Sequence, residues 1–191
     1  QSKDNENRPR LIARMCNKQL SAPSQHTQLD LTLLSQRVLA VGAHPDDVEM
    51  GCGGSLCCHA KRGDRVLVAY VTRGERSANS RRPALRVAES QEACRILGVK
   101  DIVSGDFEDA RIPNDHSPIE FLEKALERSK ASIVYTHSTN ELHQDHRTVG
   151  YLSLAAFRNV PKILAYESPR VSPSFSPSYF VDISRSLGLK W

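Results

Sequence analysis

Two short segments hold most of the residues able to do chemistry. The first reads Ala43-His44-Pro45-Asp46-Asp47-Val48-Glu49 and sets one imidazole and three carboxylates within six residues. The second reads His137-Ser138-Thr139-Asn140-Glu141-Leu142-His143-Gln144-Asp145-His146 and adds three imidazoles and two carboxylates. Mixed nitrogen and oxygen donors of this kind suit zinc in a catalytic site, where water fills the remaining position. Iron, cobalt or nickel accept a similar set. A three-residue spacing on a turn stiffened by Pro45 can aim His44 and Asp47 at one centre. Asp46 then faces another way, free for acid–base work. Either segment alone reads as a helix-capping turn. Two of them, each directly behind an apolar run, read as a metal site.

Those apolar runs imply the elements that must carry the motifs. Val38 to Ala43 suits a buried strand, as do Arg65 to Val71, Asp101 to Ser104, Ala131 to Thr136 and Ile163 to Glu167. Tyr179 to Ile183 reads as a last short strand. Helices are expected over Ser55–Arg62 after a Gly-rich turn at Gly51–Gly54, and over Pro83–Leu97, Pro118–Ser129 and His146–Arg158. On the second of these, Leu85, Ala88, Ala93, Ile96 and Leu97 form the expected buried side. Strands alternating with helices predict an α/β class, a Rossmann-like three-layer fold with a mostly parallel sheet and helices on both faces. Ligands in such sheets sit beyond the carboxyl ends of the strands, where both motifs fall.

The 191 residues fit one domain behind a polar stretch at 1–34, read as an N-terminal tail or extension. Residues 35–191 make the single domain. The net charge of +4 is modest and interspersed with acids, which argues against a nucleic-acid partner. The densest basic run, Arg73 to Arg86, is either a solvated loop or a rim for an anionic or hydroxyl-rich substrate. Five cysteines (Cys16, Cys52, Cys57, Cys58 and Cys94) show no paired finger spacing, and the last four read as buried thiols of a reducing, cytoplasmic compartment. No run is long enough to span a bilayer. His59 reads as a surface or core histidine, and His137 as a spare loop residue in preference to a partner behind the ligands. Glu49 reads as a helix cap or as support for His44. The Gly51–Gly54 segment lacks both dinucleotide and P-loop fingerprints, and tight strand-to-helix packing explains it more simply.

These residues resemble the LmbE/PIG-L family of zinc-dependent N-acetylglucosaminyl de-N-acetylases. The resemblance rests on Ala43–Glu49 with Gly51, Gly53 and Gly54, and on His143-Gln144-Asp145-His146. Val71–Glu75, Arg86 with Glu89, Ala93–Gly98 and Tyr179–Ile183 look like the family's further blocks. It covers roughly residues 37–184. It implies one Zn2+ per chain on His44, Asp47 and His146, with Asp46 as general base. It implies His143 as the residue that stabilises the oxyanion or protonates the leaving amine, oriented by Asp145. Arg86 and Asp109 match substrate contacts. Family members commonly continue beyond the late strand with a Lys-bearing helix and a Ser-Gln segment. Here Ser184–Trp191 departs from that pattern, so the C-terminus reads as truncated or short.

The expected function is removal of an N-acetyl group from an N-acetylglucosaminyl-type small molecule or glycoconjugate by metal-activated water. Homo-oligomers are a further expectation. The alternatives are an amidase on a related thiol-sugar conjugate and a metal-binding regulatory or interaction module without turnover. Asp46 and His143 favour the enzyme, because neither is needed merely to hold a metal. A nucleotide-binding Rossmann domain would need a Gly-rich fingerprint where His44–Asp47 stands.

Overall fold

The computed structural model describes residues 35–76 and 83–190. The readings of 1–34, Cys16, Arg81 and Arg82 lie outside them. Five strands are present: β1 (Arg37–Gly42), β2 (Arg65–Thr72), β3 (Asp101–Phe107), β4 (Ile133–His137) and β5 (Lys162–Tyr166). The helices are α1 (Asp47–Lys61), α2 (Pro83–Ile96), α3 (His116–Ser129), α4 (Gln144–Ala156) and the short α5 (Leu187–Lys190).

All strand pairings are parallel, in the order β3-β2-β1-β4-β5. A parallel sheet needs cover on both faces, and period-two alternation along β1 supplies two cores. Val38 and Ala40 face one side, with Val68, Tyr70, Ile133 and Tyr135, against Val48, Cys52 and Leu56 of α1 and Cys94 of α2. Leu39 and Val41 face the other, with Leu67, Ala69 and Val134, against Leu122 of α3 and Val149 and Leu152 of α4. The chain runs outward from β1 through β2 to β3, then returns to set β4 on the other side of β1. Side by side, the carboxyl ends of β1 and β4 therefore form a switch point, the place where such sheets open a crevice.

Three local expectations are corrected. Gly51–Gly54 is not a turn but part of α1, which starts at Asp47. Its glycines serve close packing: a Cβ at Gly51 would lie 2.2 Å from the Tyr166 ring, and one at Gly54 2.7 Å from Ile183. Helix α2 turns Ser90, Cys94 and, just beyond its end, Leu97 inward, while Leu85, Ala88 and Ile96 are exposed. The polar contacts of Arg86 and Ser90, not apolarity, set that face. Tyr179–Ile183 forms no strand. Phe180 stands 80% exposed, and Ile183 packs on α1 at Gly54 rather than joining the ladder beside β5.

Candidate functional site

The turn between β1 and α1 is held from several directions. Thr72, at the end of β2, donates both its backbone N–H and its hydroxyl to the carbonyl of Ala43, each at 2.9 Å. Asp46 takes φ of 105°, a left-handed conformation rare for a residue with a side chain. Its carbonyl still accepts the first helical bond, from Met50 N at 3.0 Å. Arg86 reaches across from α2 and donates to the carbonyls of Gly74 and Pro45 and to Asp46 Oδ2, at 2.9, 2.8 and 2.9 Å.

That clamp leaves His44 and Asp47 pointing into the crevice. Asp47 Oδ1 lies 3.1 Å from His146 Nε2, and Asp47 Oδ2 lies 3.3 Å from His44 Nδ1. Ligand atoms of His44, Asp47 and His146 all lie within 4.8 Å of one another. Two imidazoles and one carboxylate at this spacing fit a divalent transition cation with open positions for water and substrate. Burial opposes charge on Asp47, but bonds to His137, His146 and His44 hold its carboxyl well below the usual range. Burial likewise opposes charge on His44. Asp145 and then Asp47 outweigh it and raise that imidazole to about 10. The crevice is thus built for positive charge.

His143 caps the N-terminus of α4, and its Nδ1 accepts the N–H of Asp145 at 3.3 Å. A neutral ring so held carries its hydrogen on Nε2. Burial, and then His146 and His44, lower its pKa; Asp145 opposes them. The carboxylate of Asp145 faces another histidine: Oδ2 lies 3.1 Å from His44 Nε2 and accepts from Ala110 N at 2.7 Å. Asp109 converges on the same nitrogen, with Oδ1 at 3.0 Å, while its Oδ2 accepts from Arg76 N. Asp46 has more than half of its side chain exposed. Desolvation, then the neighbouring Asp47, push its carboxyl above the usual range, with Arg86 opposing.

The structure therefore brings His44, Asp46, Asp47, Arg86, Asp109, His143, Asp145 and His146 to one end of the sheet. Sequence reasoning undervalued His137, which is buried and stacked on His146 with ring centroids 4.0 Å apart. It also passed over Glu141, buried behind His146. Their position after β4 was the available signal. Glu49 does not support His44: it accepts from Tyr70 Oη at 2.7 Å and from Ser90 Oγ. His59 is a core residue, bonded to Asp64 and Tyr135.

A cavity of about 180 Å³ opens beside Asp46 and Arg86, lined also by Pro45, Glu49 and Met50. Larger cavities of about 430 and 400 Å³ lie along β4 and β5, and no residue of the two motifs lines either.

Residues 39–157 match the model of the PIG-L family, described as GlcNAc-PI de-N-acetylase. The chain is 38% identical to uncharacterized deacetylase YaiS of Escherichia coli (strain K12), over 81% of this chain and 89% of that protein. It is 28% identical to diacetylchitobiose deacetylase of Thermococcus kodakarensis, over 81% of this chain and 66% of the relative. Among solved structures, N,N'-diacetylchitobiose deacetylase from Pyrococcus horikoshii superposes with a TM-score of 0.71 at 25% identity. That alignment covers 82% of this chain and 67% of the other.

Proposed function

The chain belongs to the PIG-L family, GlcNAc-PI de-N-acetylase, and on that premise we propose that it is a metal-dependent N-deacetylase. Its substrate is an N-acetylglucosaminyl-type small molecule or glycoconjugate, and its products are acetate and the free amine. The observation that carries this reading is the convergence of His44, Asp47 and His146 beside Asp46 and His143. Relatives named as deacetylases of diacetylchitobiose support the substrate class.

His44, Asp47 and His146 would hold one zinc ion per chain. When bound, zinc supplies the Lewis acidity that polarises an amide carbonyl and acidifies water. Asp46 is the general base. Arg86 occupies its Oδ2, which leaves Oδ1 to take the proton as water attacks the acetyl carbon. His143 presents Nε2–H to the oxygen on which negative charge grows, because its Nδ1 is spent on the Asp145 amide. As the C–N bond breaks, Asp46 returns its proton to the departing amine. Arg86 and Asp109 border the sugar hydroxyls, Arg86 through the part of its fork that the clamp leaves over.

Elemental analysis of purified protein, paired with acetate release from N-acetylglucosamine and N,N'-diacetylchitobiose, tests the reading. About one zinc per chain and release abolished by chelator are expected. Metal without release from any N-acetylated sugar would favour a module without turnover. Failure to take up zinc would remove the mechanism.

A further inference from the structure

The loop that follows β4 carries a carboxylate to which the proposed chemistry gives no part. Glu141 is 2% exposed. Its backbone is pinned on both sides: it bridges Val171 in antiparallel fashion, while Leu142 N donates to Arg170 O at 2.9 Å and Ser172 N to Asn140 O at 2.8 Å. One oxygen, Oε2, accepts the hydroxyl of Ser168 at 2.8 Å. That hydroxyl has its own direction fixed, since its oxygen accepts from Arg170 N at 3.2 Å. The other oxygen, Oε1, is buried with no partner among the described residues.

Two buried imidazole nitrogens share that condition. His146 Nδ1 and His137 Nδ1 are both buried and unbonded among the described residues. Glu141 Oε2 lies 3.6 Å from His146 Nδ1. One ligand atom each from His137, Glu141 and His146 falls within 4.8 Å of the others. Buried polar groups that cluster without partners call for an explanation, and a buried carboxylate with a single neutral donor is costly.

Two readings compete, and the positions of the hydrogens decide between them. A second cation beside Glu141 would need a lone pair on His146 Nδ1. His137 Nε2 accepts the amide N–H of Ala43 at 3.1 Å, and an amide can only donate. Asp47 Oδ2, which can only accept, lies 3.1 Å from the same nitrogen, so the His137 ring does not decide the question. His146 does: with a cation held by His44, Asp47 and His146, its Nε2 would be the ligand and the hydrogen of the neutral ring would be on Nδ1. An Nδ1–H so placed faces the Glu141 carboxylate across 3.6 Å as a donor and leaves no lone pair there for a second cation.

We propose that Glu141 is a positioning residue for His146. Its carboxylate takes the Nδ1 hydrogen of that ring, fixes the tautomer and turns the Nε2 lone pair toward the cation. Ser168 and the 170–172 segment hold Glu141 in place, so a stretch of chain beyond β5 governs a ligand on α4. This inference rests on the metal reading above.

The test is zinc titration of the metal-free full chain against a chromogenic chelator, for wild type, Glu141→Ala, Glu141→Gln and Ser168→Ala. Loss of the carboxylate in Glu141→Ala is expected to weaken zinc binding about 10- to 100-fold. Glu141→Gln, whose amide oxygen still accepts from Nδ1–H, recovers part of that loss and guards against a folding defect in the alanine variant. In the zinc-loaded wild type, 15N–1H correlation spectra should show His146 protonated on Nδ1, with the signal displaced in Glu141→Gln. Zinc affinity within about twofold of wild type in both Glu141 variants, with unmoved imidazole signals, overturns the proposal. A wild type that takes up no zinc overturns the metal reading itself, which separates the two failures.

Discussion

Asp145 Oδ2 sits 3.1 Å from Nε2 of His44, a residue 101 positions earlier in the chain, and gives His143 only its backbone N–H. The carboxylate that sequence pattern assigns to a catalytic histidine is therefore engaged with a candidate metal ligand. Asp145→Asn should weaken zinc binding about 10- to 100-fold, as loss of a carboxylate behind a ligating imidazole generally does. Chelator competition measures it. Unchanged zinc affinity with a lowered kcat would return Asp145 to His143.

Asp46 combines exposure, a left-handed backbone and the grip of Arg86. Asp46→Asn keeps a residue that tolerates positive φ. It should fold and bind zinc as the wild type does while kcat falls about 10²- to 10⁴-fold, the usual span for loss of a positioned base. Acetate release and metal content, measured on the same preparation, check both halves.

Packing between α1 and β5 leaves no room at Gly51. An alanine there would set its Cβ 2.2 Å from the ring of Tyr166, whose hydroxyl donates to Val41 O at 2.9 Å. Gly51→Ala should destabilise by about 1–3 kcal/mol, the cost of overpacking a core. Urea unfolding reads this directly, and Tyr166→Leu in the same chain should recover part of it.

At the far end of α1, Asp64 accepts from Gln36 N at 2.8 Å, His59 Nδ1 at 2.6 Å and Arg62 Nε at 3.0 Å. Burial opposes its charge, but Arg62, His59 and the Gln36 amide hold its carboxyl below the ordinary 3.8. A depressed folded pKa contributes stability above the unfolded value, lost as pH falls through the folded one. Asp64→Asn should therefore cost about 1–3 kcal/mol at neutral pH. The gap to wild type should close as pH drops below the ordinary carboxylate value. Thermal melts across that range provide the check.

The α/β class, the parallel sheet and the two metal-type motifs were legible because strands buried on both faces read as apolar runs and the motifs follow them directly. Residues whose role depends on an inward helix face were not. Ser90 lies on the inward face of α2, yet an apolar pattern points to Leu85 and Ile96, which are exposed; Arg86 was named only through the family resemblance. Gly51 and Gly54 read as a turn made for tight packing; the packing is there, but inside a helix and against partners that lie across space, Tyr166 and Ile183. Glu141 was unreadable for the same cause: its partner Ser168 follows β5, and only pairing of Glu141 with Val171 brings the two together.

The β1–β4 pairing has a consequence for how the molecule comes together. Val38 aligns with Ile133 and Ala40 with Tyr135, so the two halves of the crevice meet only after a long stretch of chain has been synthesised and looped back. Closing such a loop is entropically unfavourable before the sheet rewards it, which makes this register a late, slow event. A cation gripped by both halves would act as a removable crosslink on that closure, adding stability in proportion to the logarithm of its free concentration.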